Sequence, residues 1–428
     1  LDPSPTPRST DDPPGRTAAQ TVAAIFAILF YQGYTMAINA IAAPWVARSF
    51  ALSQSGIAAV YACISVSAIG ALILSRYIDR LGRRRVLLWC MTATPLCALA
   101  AAVPAPLPLF VAFEIMLYGF IGATVSGSVV MFAEALPVEQ RAKGQSYGGV
   151  ALGLGAGLCV IFMPLLADAG YSWRWLLVLS GAGLLGLPLL ASATPESAHW
   201  QRAAANGSTA ASRFSDLFAS RYRHRAVPLL ASQLLSQIAA AAVMNWSYYH
   251  AVSVVGLPAA AASVMVLVAG GIGLLGYPLG ARLCERFGRV PTVVVCDLLL
   301  SAGALWFYWG PPLHVAYPGV WLGIGFFWFT AAGNGAMVGT NAAATELFPT
   351  SVRATVIGWF TLVTAVAAVF AQGIMAALAV PLGGLSSVVG YLSLLATPSA
   401  VVFGMFIDET RGLALDMASQ EATVGSGR

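Results

Sequence analysis

One short loop occurs twice in this chain, each time between apolar runs long enough to cross a lipid bilayer. Residues 75–85 read S-R-Y-I-D-R-L-G-R-R-R, five arginines and one aspartate between the apolar stretches 57–74 and 86–103. Residues 282–289 read R-L-C-E-R-F-G-R in the same setting. The shared core is acid-Arg-x-Gly-Arg: Asp79, Arg80, Gly82 and Arg83 in one copy, Glu285, Arg286, Gly288 and Arg289 in the other. A second pair agrees, E-x2-P-x3-R at Glu134/Pro137/Arg141 and at Glu346/Pro349/Arg353. Two matched signatures at nearly equal separation imply a membrane chain built from homologous halves.

Only 9% of the 428 residues are charged and 58% are hydrophobic, whereas a soluble globular domain carries roughly 25% charged residues. So few charges could not cover a soluble surface, so most of the exterior faces lipid and a soluble enzyme is excluded. The formal charge of +5 does not point to nucleic acid, because the arginines sit in short loops between apolar runs. The six cysteines (Cys63, Cys90, Cys97, Cys159, Cys284 and Cys296) are scattered through apolar segments without metal-ligand spacing and read as small packing residues. No cofactor or metal is expected.

A helical span needs roughly 20 apolar residues. Such runs fall near 19–46, 56–76, 86–103, 107–133, 145–168 and 173–193, and again near 226–252, 259–281, 291–310, 313–343, 354–380 and 384–407. The expected fold is therefore all-α, with twelve transmembrane helices in two homologous six-helix bundles, 18–193 and 226–408. Residues 1–17, with five prolines and no apolar face, read as a disordered tail, and 409–428 as a second tail. Residues 194–225 read as a polar linker carrying short amphipathic helices. With the N-terminus placed in the cytoplasm, 20 of the 22 Lys and Arg fall on the inner side, only Arg48 and Arg174 outside. Positive-inside bias thus puts both termini in the cytoplasm. The glycine series Gly148, Gly149, Gly153, Gly155, Gly157 and Gly270, Gly271, Gly273 is read as close helix packing. No strand precedes these glycines and no P-loop lysine follows, so they do not read as a nucleotide site.

These loops resemble those of the major facilitator superfamily of secondary transporters, over essentially the whole chain beyond the tail. Asp79–Arg84 is similar to the superfamily's loop between spans two and three, echoed at 285–289. Pro195-Glu196-Ser197-Ala198-His199-Trp200 is similar to its P-E-S-P-R-W signature after span six, and Asp408-Glu409-Thr410-Arg411-Gly412 to its P-E-T-K-G ending. The resemblance implies the branch holding sugar porters, organic-ion transporters and aromatic-acid/proton symporters, with alternating access around a central cavity. The first span, Tyr31-Gln32-Gly33-Tyr34-Thr35, is similar to the D-G-x-D stretch of aromatic-acid symporters, but Gln32 and Thr35 stand where that pattern has aspartates. Twenty residues before Glu134, where the branch commonly has an arginine, this chain has Glu114.

Carboxylates inside apolar spans are the first functional candidates, because an ionisable group in a bilayer is costly and faces a cavity or a partner. Glu114 and Asp297 are the two, both candidates for proton coupling. Buried amides demand hydrogen-bond partners, and aromatic rings can line a solute site. The candidate cavity residues are Tyr31, Gln32, Tyr34 and Asn39 on span one, Tyr118 on span four, and Gln233, Gln237, Asn245, Trp246 and Tyr249 on span seven. Span ten adds Trp328 and Asn334, and span eleven Trp359 and Gln372. The loop residues Asp79, Arg80, Gly82, Arg83, Glu134, Arg141, Glu285, Arg289, Glu346 and Arg353 are candidates for a latch that holds the two halves together at the inner face, against a purely topogenic role for the arginines.

The function expected is secondary transport of a small organic solute, driven most simply by protons, by a chain that works as a monomer in a bacterial inner membrane. With no mid-membrane Lys or Arg and with Glu114 in a span, the residues lean towards an organic cation or zwitterion. The alternatives are a proton symporter of an aromatic or other organic acid, or a sugar or polyol porter. A receptor or scaffold would need neither paired loops nor cavity amides.

Overall fold

The computed structural model describes residues 16–135, 141–193, 217–218, 220–310, 316–348 and 350–411. The described residues are helical throughout, with short connections. In the first half run α1 (Arg16–Ser49), α2 (Gln54–Ser65), α3 (Ser67–Leu81), α4 (Arg83–Ala102), α5 (Leu107–Ala135), α6 (Arg141–Asp168), α7 (Arg174–Ser180) and α8 (Gly183–Ala193). In the second run α9 (Ser220–Tyr249), α10 (Ala259–Gly273), α11 (Gly276–Phe287), α12 (Arg289–Trp309), α13 (Pro318–Glu346), α14 (Thr350–Leu378), α15 (Leu385–Ser393) and α16 (Ala396–Phe406).

Four pairs of these helices are single kinked spans, α2–α3, α7–α8, α10–α11 and α15–α16. Eleven stretches of the described residues are then long and apolar enough to cross a membrane. The twelfth is α13, whose 29 residues give ample length at ~1.5 Å per residue but include six glycines and two asparagines. The fold is the all-α, two-bundle architecture expected. Differences lie at the ends: α1 and α9 begin at Arg16 and Ser220, earlier than the apolar pattern suggests. The expected tail 1–17 and linker 194–225 fall mostly outside the described residues.

The kinks repeat with the duplication. At each one the ladder tightens to three-residue bonds: Val66 N–H to Cys63 O (3.2 Å), Ala182 to Leu179 (3.0 Å), Leu275 to Ile272 (2.9 Å) and Leu395 to Leu392 (3.1 Å). The basic loops repeat as well. Gly82 (φ 100°) and Gly288 (φ 108°) each turn the chain between spans in the region of backbone space that only glycine adopts readily.

Close packing carries the first bundle. A β-carbon on Gly33 would overlap the Leu152 backbone, and one on Gly155 would overlap the Phe30 carbonyl, so α1 and α6 meet backbone to backbone. Gly149 faces open space, so the glycine series is only partly a packing device. Arg174, which with Arg48 lies at the opposite end from the basic loops, donates to the carbonyls of Ala101 and Val103 (both 3.2 Å) and so caps the C-terminus of α4.

The two halves are fastened to one another at that far end. Tyr61 of α2 lies against Trp246 of α9 (centroids 5.4 Å) and Trp45 of α1 against Tyr248 (6.3 Å). The Leu385 backbone N–H at the start of α15 donates to Gln54 Oε1 at 2.8 Å. Towards the basic end, α14 packs along α2 but only sparingly along α3. This leaves a space between the halves.

Candidate functional site

That space is a cavity of about 440 Å³ between the bundles, lined from α1, α2, α3 and α5 on one side and from α9 and α14 on the other. The wall carries Asn39, Tyr61, Ser65, Ser67, Tyr118, Ser126, Asn245, Thr361, Thr364 and Gln372 among apolar residues, and among the described residues no charged side chain. Tyr61 and Ser65 share a face of α2 because they are four residues apart. Thr361, Thr364 and Gln372 recur at helical spacing on α14.

The floor is a hydrogen-bonded cluster. The Tyr61 hydroxyl donates to the Asn39 carbonyl (2.5 Å), and Tyr118 donates to the Met36 carbonyl (2.8 Å), fixing the α1 backbone where it meets the cavity. The Asn39 side chain donates from Nδ2 to Glu114 Oε2 at 3.1 Å. Glu114 is 1% exposed and stands behind Asn39 rather than in the wall. Its second oxygen has no partner among the described residues. On the facing side Trp246 donates its indole N–H to Gln372 Oε1 at 3.0 Å, and Tyr249 packs edge-on against the Trp246 ring.

Of the sequence candidates, Asn39, Tyr118, Asn245 and Gln372 line the cavity, with Trp246 and Tyr249 beneath it. The others stand elsewhere, for identifiable reasons. Tyr31 bonds Ser180 (3.0 Å) and Tyr34 donates to the Leu176 carbonyl (3.0 Å), both inside the first bundle where α1 meets α7. Gln32 is fully buried there and donates to Met91 Sδ at 3.2 Å. Gln233 and Gln237 are on α9 but not among the lining residues. Asn334 donates to the Gly273 carbonyl (3.1 Å), which the α10–α11 kink releases because Tyr277 N–H bonds Leu274 instead. Trp328 is 45% exposed on an outer groove between α10 and α13, and Trp359 packs on Phe218. Tyr61 and the hydroxyl side chains of α2, α5 and α14 were missed. Their signal was the i, i+4 spacing of Tyr61 and Ser65 inside an apolar run.

Asp297 lies in the second bundle, 1% exposed and away from the cavity. Ser236 of α9 donates to its Oδ1 (3.0 Å) and Ser399 of α16 bonds its Oδ2 (2.7 Å). The carboxyl thereby joins three helices.

At the basic end, Arg289 holds Glu346 through two bonds, Nη2 to Oε1 (2.8 Å) and Nε to Oε2 (3.0 Å), and Thr410 donates to the same carboxylate. This pair fastens α12 to α13 within one half, not the two halves to each other. Glu285 is exposed. The side chains of Asp79, Arg80, Arg83, Glu134, Arg141 and Arg353 lie outside the described residues, and of Gly82 the turn is as expected. A further member comes from the C-terminal signature: Glu409 accepts the backbone N–H groups of Arg289 and Val290 (2.9 Å each) at the start of α12.

A gallate transporter of Pseudomonas putida is 27% identical over 377 residues, 78% of this chain and 79% of that protein. A gentisate transporter of Corynebacterium glutamicum is 23% identical over 362 residues, 81% of this chain and 77% of its own length. A solved D-xylose–proton symporter superposes with a TM-score of 0.74 at 19% identity, covering 92% of this chain and 98% of that one, a likeness of fold. The profile of the Major Facilitator Superfamily matches residues 23–372. With a duplicated helical bundle, a cavity between the halves and this match, the chain belongs to the Major Facilitator Superfamily: it is an integral, multi-pass membrane transporter and not an enzyme.

Proposed function

We propose that this transporter is a proton symporter of a hydroxylated aromatic carboxylate, working by alternating access. The observation that carries the reading is the pairing of an uncharged cavity, walled by amides, hydroxyls and phenols, with a buried carboxyl one residue behind its floor. Amides and hydroxyls suit the ring hydroxyls and carboxylate of such solutes, and the lining aromatics Tyr61 and Tyr118 suit the ring itself. The names of the relatives, gallate and gentisate, are of this class and support the acid over the organic cation or zwitterion favoured by the residues alone. No nucleotide-binding motif is present to drive transport, so an ion gradient supplies the energy, and Glu114 is the residue that exchanges the proton.

In this reading the basic end is cytoplasmic, both termini lie there, and the conformation is closed outside and open towards the inside. The two bundles rock about the cavity. Asp297 is then a fastening within the second bundle. The Arg289–Glu346–Glu409 cluster stiffens the second half at the inner face and biases the two-state equilibrium. The chain works as a monomer in a bacterial inner membrane.

A ligand screen by thermal melting of the purified protein tests the substrate class. Hydroxybenzoates, organic cations and hexoses are compared at equal concentration. Stabilisation by hydroxybenzoates alone is expected. Stabilisation by cations or sugars with none from hydroxybenzoates would overturn the reading.

A further inference from the structure

The cavity has to hold an anion without a cation in its wall among the described residues, and the amides of Asn39 and Gln372 are not equivalent. Gln372 faces a donor: the indole N–H of Trp246 can only give a hydrogen bond, so the Gln372 oxygen points to Trp246 and its NH2 is left for the cavity. Asn39 faces a carboxyl group, whose demand depends on its proton. An ionised carboxylate only accepts, so Glu114 then takes the Asn39 NH2, as in this structure, and leaves Oδ1 for the cavity. A neutral carboxyl must place its own O–H. Asn39 is the one side chain hydrogen-bonded to Glu114 among the described residues, and the other Glu114 oxygen has no partner.

We propose that the Asn39 carboxamide turns over with the protonation of Glu114 and so couples the proton to the substrate carboxylate. With Glu114 ionised, Asn39 shows its carbonyl oxygen to the cavity, which disfavours an anion. With Glu114 protonated, the Glu114 O–H donates to Asn39 Oδ1 and the amide NH2 turns to the cavity, joining the NH2 of Gln372 as a second donor to carboxylate. The proton and the anion then favour each other's binding, and the coupling is reciprocal. The α1 backbone is held by the Tyr61 and Tyr118 hydroxyls, so the change is confined to the soft terminal torsion of Asn39. Among the described residues, the other ionisable groups that face Glu114 are Tyr61 of α2, Cys97 of α4 and Tyr118 of its own helix; none is a cation that could pin the carboxylate in its ionised form.

This inference rests on the symporter reading, and the test separates the two. Gallate affinity is measured by isothermal titration between pH 5.5 and 7.5 for the wild type, Glu114→Gln, Asn39→Leu and Asn39→Ala. The wild type is expected to bind more tightly as pH falls, by up to about tenfold per pH unit where one proton is linked. Glu114→Gln, a neutral stand-in, is expected to lose the slope and to bind at pH 7.5 as the wild type does at pH 5.5. Either Asn39 variant is expected to bind weakly and without a slope although Glu114 is intact. Infrared difference spectra of the wild type supply a measurement that needs no Asn39 variant to fold. Gallate is expected to raise a neutral-carboxyl band that Glu114→Gln lacks and to shift the side-chain amide band. An Asn39 variant that keeps the wild-type slope, or a carboxyl band rising without the amide shift, overturns the coupling through Asn39 and leaves the symporter reading intact. A wild type whose gallate affinity is the same at every pH overturns both.

Discussion

Trp246 donates its indole N–H to Oε1 of Gln372 at 3.0 Å, and this bond settles which end of a buried amide meets the cavity. An unconstrained amide would offer either its oxygen or its NH2, since the two ends have nearly the same shape. Here a donor-only partner on α9 fixes an amide on α14, so the orientation is built into the contact between two helices of one half.

Replacing Trp246 by Phe keeps the ring against Tyr61 and removes the N–H. Gln372 is then free to turn, and carboxylate binding weakens by about three- to tenfold, in line with the ~1 kcal/mol of one hydrogen bond. Gln372→Leu gives at least the same loss. Titration calorimetry with gallate reads the change, and melting temperature checks that the fold is kept.

Two glycines of α6 answer differently to the same substitution. Gly155→Ala places a β-carbon against the Phe30 carbonyl and forces α1 and α6 apart, so the melting temperature falls. Gly149→Ala meets nothing within 4 Å and leaves stability unchanged or improves it by up to ~1 kcal/mol, the helix-propensity gain over glycine. Thermal melting of the two variants in one detergent makes the comparison.

Much of the fold was readable because its cause is local. A span is a run of apolar residues, and the duplicated loops set the count and pairing of spans. The kinks left only a weak signal, the serines beside Val66 and the glycines beside Ala182 and Leu275, because small residues recur in many spans that stay straight. The site was readable by residue type and less so by direction. Asn39 and Gln372 face the cavity while Gln32 and Asn334 face their own bundle, and an amide in an apolar helix looks alike in both settings. Glu114 stood out because a lone carboxyl in a span is rare, but its place behind Asn39 depends on how α1 packs on α5.

Asp297 is a fastening whose removal leaves the Ser236 hydroxyl without its acceptor and the Ser399 hydroxyl with only Ser232 to bond. Asp297→Ala is expected to lower stability by roughly 1–3 kcal/mol, and Asp297→Asn by less, since the amide keeps one acceptor. Neither abolishes the pH dependence of gallate binding. Melting curves and binding at two pH values test both statements.

Glu409 gives the basic end a pH dependence of its own. Partial burial alone would raise its pKa, but the N–H groups of Arg289, Val290 and Arg411 outweigh this and hold the carboxyl below its ordinary 4.5. A depressed folded-state pKa contributes stability that is complete above the ordinary value and is lost as pH falls through the folded one. Glu409→Gln is therefore less stable than the wild type near neutrality, and the gap closes as pH falls below about 4.5. Paired melting curves across that range measure it.

The central claim is that a proton gradient drives an aromatic carboxylate across the membrane through this protein. Its direct test is uptake of labelled gallate into proteoliposomes with the outside more acidic than the lumen, followed together with lumenal pH. Gallate accumulating above its external concentration, with protons entering alongside it and both flows lost in Glu114→Ala, is the predicted result. Gallate that only equilibrates, or moves without protons while an organic cation accumulates, would contradict the account.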